Sequence, residues 1–276
     1  MEITISPRHK KAARVYLQQL VQERIPFAIG GAFAIHHYTG IWRDTKDMDV
    51  FLLPADAERA VAIGQRLGYN AWMQDRHWLA KVRTDGYLID LIFGSGNWLG
   101  QVTVDWLRRA QPINLFGLNL KVLAPEEIIY SKAYVAHRER YDGADVLHLI
   151  RYTSDKIDWQ HLLNRFNAHP NLLLSYLALF AFAYPWEVHR IPEDIMGTLT
   201  DGLLNQRKHR YNGSRICWGM LLDPLQFVYD VEVDGCSDPR EILAASQETS
   251  PDEVRRNREV IWKQSLEANL SNRTSE

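Results

Sequence analysis

The stretch RDTKDMDVFLL, Arg43 to Leu53, decides the fold. From Asp47 it sets two acids against Met48 and Val50 and then turns wholly apolar, the pattern of a strand running into a core with Asp47 and Asp49 on one face. Pro54 ends it. The spacing alone carries little, because an acid two residues from an acid recurs at 56/58, 230/232 and 232/234. The placement carries more. Two like charges at the edge of a core are costly unless a cation joins them, and hard divalent cations take oxygen ligands.

Upstream, Phe27-Ala28-Ile29 reads as a short strand entering Gly30-Gly31, with a helix over 32–38 and an opening helix over 8–24 ended by Pro26. Two glycines between strand and helix allow the backbone to approach a phosphate; a tight, closely packed turn is the other reading. Downstream, 55–67 is an amphipathic helix, and 77–83 and 87–93 are strands around the hairpin signal Thr84-Asp85-Gly86. Asp90 interrupts the otherwise apolar run Tyr87 to Phe93. An acid there is either metal-bound with Asp47 and Asp49 or paired with a nearby arginine or lysine. Three acids on neighbouring strands suit two ions about 3.5–4 Å apart, the arrangement used for phosphoryl displacement. A helix over 101–110 and a strand over 118–123 follow.

From Pro125 the periodicity becomes helical, at 125–137, 142–152, 158–167, 170–184 and 192–206, and a helix over 251–268 lies in the polar tail. The expected fold is therefore α/β (α+β), a mixed sheet flanked by helices in residues 1–123, followed by a mainly helical domain in 124–276. Neither repeat nor linker interrupts it. Hydrophobic residues at 46% and charged residues at 24% exclude a disordered or fibrous chain. A net charge of −2 gives no global field for nucleic acid. Cys217 and Cys236 are too few for a disulfide framework or a cysteine zinc site. No apolar core of a signal peptide opens the chain, and the longest apolar run, Leu172 to Trp186, is shorter than the roughly 20 residues a bilayer requires. That run reads as a buried helix, and the expected location is cytoplasmic with no membrane partner. The common phosphate-loop, dinucleotide, zinc-protease and nucleophile-elbow motifs are absent. His36-His37 reads as packing, most of the nine tryptophans as core or partner contacts, and Arg207-Lys208-His209-Arg210 as a solvated turn.

Taken together, Ile29-Gly30-Gly31, Tyr38-Thr39-Gly40, Arg43-Asp44-Thr45-Lys46-Asp47-Met48-Asp49-Val50 and the late Asp90 resemble the polymerase-beta-like nucleotidyltransferase superfamily. Within it they are most similar to the AbiEii-type toxin and aminoglycoside nucleotidyltransferase branches. Leu123-Ala124-Pro125-Glu126-Glu127-Ile128, with Lys132, Arg138, Asp142 and Asp145, is similar to the helix that follows the core in those families. The resemblance covers about residues 10–150. It implies magnesium, two ions, on Asp47, Asp49 and Asp90, with Asp90 also positioning or deprotonating an acceptor hydroxyl. Gly30 and Gly31 would cradle the triphosphate of an NTP, Lys132 would contact it from the helical side, and Arg43 and Lys46 would neutralise phosphate charge or pair with the acids. The implied reaction moves an NMP group from NTP to a hydroxyl on a small molecule, a protein or a tRNA, releasing pyrophosphate. The competing expectation is a nucleotide- or partner-binding module with little or no turnover, one half of a toxin–antitoxin-like pair with a protein partner.

Overall fold

In the computed structural model, which describes residues 3–209, 213–247 and 250–273, the Ser6 hydroxyl accepts the His9 amide at 3.1 Å and caps α1 (Pro7–Gln22). Its buried side chains, Ala12, Ala13, Tyr16, Leu17 and Leu20, recur at helical spacing along one stripe. There follow β1 (Phe27–Ile29), α2 (Gly31–Thr39), β2 (Asp47–Leu52), α3 (Ala57–Arg66), β3 (Asn70–Asp75), β4 (Leu79–Thr84) and β5 (Tyr87–Ile92). Next come α4 (Val104–Arg109), β6 (Gln111–Leu115), β7 (Leu118–Val122), α5 (Pro125–Ala133), α6 (Gly143–Thr153), α7 (Trp159–Arg165) and α8 (Pro170–Ala183). The chain ends in α9 (Glu193–Lys208), α10 (Pro224–Glu232), α11 (Pro239–Ser246) and α12 (Pro251–Arg273).

The seven strands form one sheet in the order β3-β4-β5-β2-β1-β7-β6. It is mixed: β2 runs parallel to β5 and β1 parallel to β7, while the remaining neighbours are antiparallel. Helices flank it, as the α/β reading requires. One face packs Met48, Val50, Ile89 and Leu91 against α1 and α3. On the other face Ala28, Phe51 and Val122 join a cluster that continues through Ile128, Val146, Leu177 and on to Leu221. One strand thus serves two environments on a single face: Asp47 and Asp49 stay partly open, and two residues on Phe51 is buried.

Several boundaries differ from the sequence expectation. β3 and β6 are strands the alternation did not announce. β6 and β7 close around Phe116-Gly117, and Phe116 holds a positive φ of 55° that bulky residues rarely adopt, so the turn carries no Asn-Gly or Asp-Gly signature. The helix expected over 125–137 stops at Ala133, because the Asp223 carboxylate takes the Arg138 amide at 2.8 Å and holds the next stretch as a loop. The helix expected over 101–110 is confined to Val104–Arg109. α10 and α11 begin at Asp-Pro steps, where Asp223 and Asp238 cap them, a start signal the periodicity reading passed over. The run from Leu172 buries only one face of α8; Phe182 is 86% exposed. Arg207 and Lys208 end α9 rather than forming a turn, and Arg210 lies outside the described residues. Among the described residues no helix is long and apolar enough to cross a membrane.

Candidate functional site

β2 and β5 lie side by side and parallel, with Asp49 directly opposite Asp90. Because side chains alternate along a strand, Asp47, Asp49 and Asp90 share one sheet face. They line a cleft of about 350 Å³ whose other wall comes from Arg43, Thr45, Lys132, Arg140, Asp142 and Asp145. The structure therefore brings together Asp47, Asp49, Asp90, Gly31, Arg43 and Lys132 of the residues singled out in the sequence. Gly30 and Lys46 are not among the lining residues. The Gly30 amide donates to the Asp49 carbonyl at 2.9 Å, and a Cβ on Gly30 would lie 2.3 Å from the Phe51 ring. Gly30 is thus closely packed against Phe51. Lys46 is exposed beside the cleft. His36 and His37 also lie outside the lining: His36 packs on Trp42, and His37 sits against Tyr38.

The acids differ in their partners. Asp47 accepts the Thr45 hydroxyl at 2.7 Å. Both Asp90 oxygens take the Lys81 ammonium, at 2.8 and 3.1 Å, which realises the ion-pair reading of that residue. Burial pushes the Asp90 carboxyl up while Lys81 opposes the rise. The Asp49 carboxylate receives no hydrogen bond from any described residue. Burial first, then the neighbouring Asp47 and Asp90, push it up to about 6 against the pull of Lys132 and Arg140. Gly31 makes its position possible, since a Cβ there would fall 1.7 Å from Asp49 Oδ2.

On the opposite wall Lys132 joins Asp142 at 2.7 Å and Asp145 at 2.9 Å, with side chains only 12–13% exposed. Arg43 also pairs with Asp145, not with the strand acids. Arg140 forks onto Asp142 at 3.0 and 3.1 Å. Although burial raises it, Asp142 ends below the usual carboxylate range because Arg140 and Lys132 donate to it. Removing the shared cation leaves two nearly buried acids facing each other. Lys132→Met should lower the unfolding free energy by about 2 kcal/mol in urea titrations, less than a fully buried ion pair because Arg43 and Arg140 remain. An unchanged midpoint would make this cluster irrelevant to stability.

Sequence reading passed over Arg140, Thr45 and Lys81. Arg140 lies between the helices expected over 125–137 and 142–152, where no motif singled it out. Lys81 was legible: a two-residue Asp85-Gly86 loop pairs Thr84 with Tyr87 and so sets Lys81 opposite Asp90.

Among the described residues no group of three His, Cys, Asp or Glu stands ready to hold a metal ion. The donors that fit one are Asp47 and Asp49: both are oxygen ligands, and Asp49 is a carboxylate that burial and like charge disfavour and that no donor satisfies.

A mixed sheet with two acids on one strand and a third on its parallel neighbour, opening on a cleft that also carries Arg43, Lys132 and Arg140, is the arrangement of a nucleotidyltransferase core. The family model described as "Nucleotidyl transferase of unknown function (DUF2204)" matches residues 9–175, and the chain belongs to that family. It is a transferase, in agreement with the resemblance read from its motifs. Among solved structures it is similar to a lincomycin-bound lincosamide antibiotic adenylyltransferase, at 14% identity and TM-score 0.39 over 54% of this chain and 98% of that one. It is also similar to an antigenic nucleotidyltransferase-like protein from Paracoccidioides brasiliensis, at 22% identity and TM-score 0.39 over 62% and 93%. A third likeness is to JHP933 from Helicobacter pylori, at 12% identity and TM-score 0.38 over 75% and 100%. No curated protein matches the chain.

Proposed function

We propose that the chain transfers a nucleoside monophosphate from an NTP to a hydroxyl acceptor and releases pyrophosphate, with magnesium held by Asp47 and Asp49. The observation that carries this reading is Asp49, a carboxylate raised to about 6, without a donor, set under a glycine and beside two further acids. Such a group costs stability and is retained where a cation and its phosphates are to be bound. Bound magnesium would neutralise the phosphates and the charge that develops on them.

The chain's own residues do the rest. Gly31 leaves room beside Asp49 for a phosphate oxygen, and Arg43, Lys132 and Arg140 face the same cleft as cations for the triphosphate. The acceptor hydroxyl attacks the α-phosphorus. A new O–P bond forms as the bond to the bridging oxygen breaks, pyrophosphate leaves with that electron pair, and the hydroxyl proton passes to the Asp90 carboxylate. Catalysis is mostly alignment and charge neutralisation. In this reading residues 1–123 form the core and residues 124–276 the helical part, which brings Lys132, Arg140, Asp142 and Asp145 to the cleft. The acceptor belongs to the hydroxyl-bearing class, small molecule, protein or tRNA, and the site is cytoplasmic.

The test is release of pyrophosphate from each NTP with magnesium, against a panel of hydroxyl acceptors, with transfer followed by mass spectrometry. Asp90→Asn should retain NTP affinity and lose about 100-fold or more in single-turnover transfer, the usual worth of a positioned base. Near-normal transfer by that variant removes Asp90 from its role. Magnesium-independent turnover of the wild type overturns the metal reading.

A further inference from the structure

The three strand acids are not equivalent. Lys81 on β4 stands directly opposite Asp90 on β5, and its ammonium takes both carboxylate oxygens, at 2.8 and 3.1 Å. The side chains are 20% and 15% exposed, so the pair is enclosed between strands rather than loose at the surface. The Asp47 and Asp49 carboxylates have nothing comparable: the first accepts a hydroxyl from its own loop, and the second accepts no hydrogen bond from the described residues. One of the three acids thus carries a covalently tethered cation, and two do not. The charge sum agrees. Three carboxylates and one ammonium on these strands leave two negative charges, which a single divalent ion balances.

We propose that Lys81 is a built-in counter-ion that withdraws Asp90 from the metal set, so that the site takes one divalent cation, on Asp47 and Asp49, instead of two. The inference rests on the reading of Asp47 and Asp49 as a cation site. It makes Lys81 a positioning residue: the ammonium holds the Asp90 carboxyl in place at the cleft, where an acceptor hydroxyl would approach. A second ion at Asp90 would have to displace an ammonium that already satisfies both oxygens from a tethered position, which favours the tethered cation.

The experiment counts bound Mn²⁺ on the full chain without nucleotide, by electron paramagnetic resonance of the free ion, with circular dichroism and thermal unfolding as checks on the fold. Wild type and Lys81→Arg should bind one ion. Lys81→Met should bind two, and Lys81→Met combined with Asp90→Asn should return to one. Asp90→Asn alone should keep the one-ion count with affinity within about twofold of wild type, whereas loss of a true ligand costs tenfold or more. Two ions on the wild type, or a single ion of unchanged affinity on folded Lys81→Met, overturns the proposal. Where Lys81→Met does not fold, the wild-type count and Asp90→Asn decide: an affinity loss of about tenfold in Asp90→Asn overturns it. No ion on either wild type or Lys81→Met overturns the metal reading of Asp47 and Asp49 itself, and so is distinguishable from failure of the Lys81 assignment.

Discussion

Asp49→Asn should yield a chain that is inactive in transfer and, in metal-free buffer at pH 8, more stable than the wild type. The stability gain follows from the sign of the pKa shift. Burial, reinforced by Asp47, raises the Asp49 carboxyl from an ordinary 3.8 to about 6. Below about pH 4 the group is protonated whether the chain is folded or not, and it costs nothing. As pH rises from about 4 to 6 the unfolded chain has released a proton that the folded chain still holds, so stability falls across that window, and above 6 the whole cost is present. Two units correspond to roughly 2–3 kcal/mol, which asparagine does not incur. Urea titrations with chelator at pH 8 and near pH 4 should therefore show the variant ahead by about 2 kcal/mol at the first and level at the second. Magnesium should stabilise the wild type and leave the variant unmoved. Loss of a charge that holds the ion is worth several kcal/mol in the transition state, so transfer should drop by about a thousandfold. Equal stability at pH 8 would refute the desolvated, ionised carboxylate, and transfer within about tenfold of wild type would take Asp49 out of the chemistry.

Gly31→Ala is the second large effect, and its cause is crowding rather than backbone alone. Gly31 has φ of +53°, and a Cβ would sit 1.7 Å from Asp49 Oδ2 and 2.7 Å from its Cγ. The aspartate side chain is short and rooted in a strand, so it must leave its rotamer. An added side chain here therefore clashes directly with the acid. Gly40→Ala supplies the control, because φ there is +70° and the added Cβ meets nothing within 4 Å. Both variants should lose about 1–2 kcal/mol for the left-handed backbone. Only Gly31→Ala should lose transfer, by about 100-fold or more, since a misplacement of about 1 Å at a reacting centre costs that much. Equal transfer by the two variants would show that Asp49 does not depend on the bare backbone beneath it.

The strand face of Asp47 and Asp49, the parallel role of Asp90 and the helical character after Pro125 were legible because each depends on local periodicity. Alternation with Met48 and Val50 orients β2, and the Asp85-Gly86 turn sets the register of β4 on β5. Arg140 was not legible. It lies between the helices expected over 125–137 and 142–152, and only the packed structure brings its guanidinium to Asp142 at the cleft. β6 was hidden for a related reason: Phe116 adopts a backbone angle that its own side chain disfavours, which the packed ring against Phe33 sustains.

The sequence by itself determined that two acids meet a core on one strand face and that a third interrupts a neighbouring apolar run, because side-chain alternation is a property of the strand alone. The Asp85-Gly86 hairpin already set Lys81 opposite Asp90, and tertiary structure decided which cations the other acids see. The loop after α5 together with α6 gives Lys132, Arg43 and Arg140 to Asp142 and Asp145, and the Asp49 carboxylate is left without a donor. Partner choice is set by distance and desolvation at the closed cleft, and these arise only when strands and helices far apart in the chain are packed together.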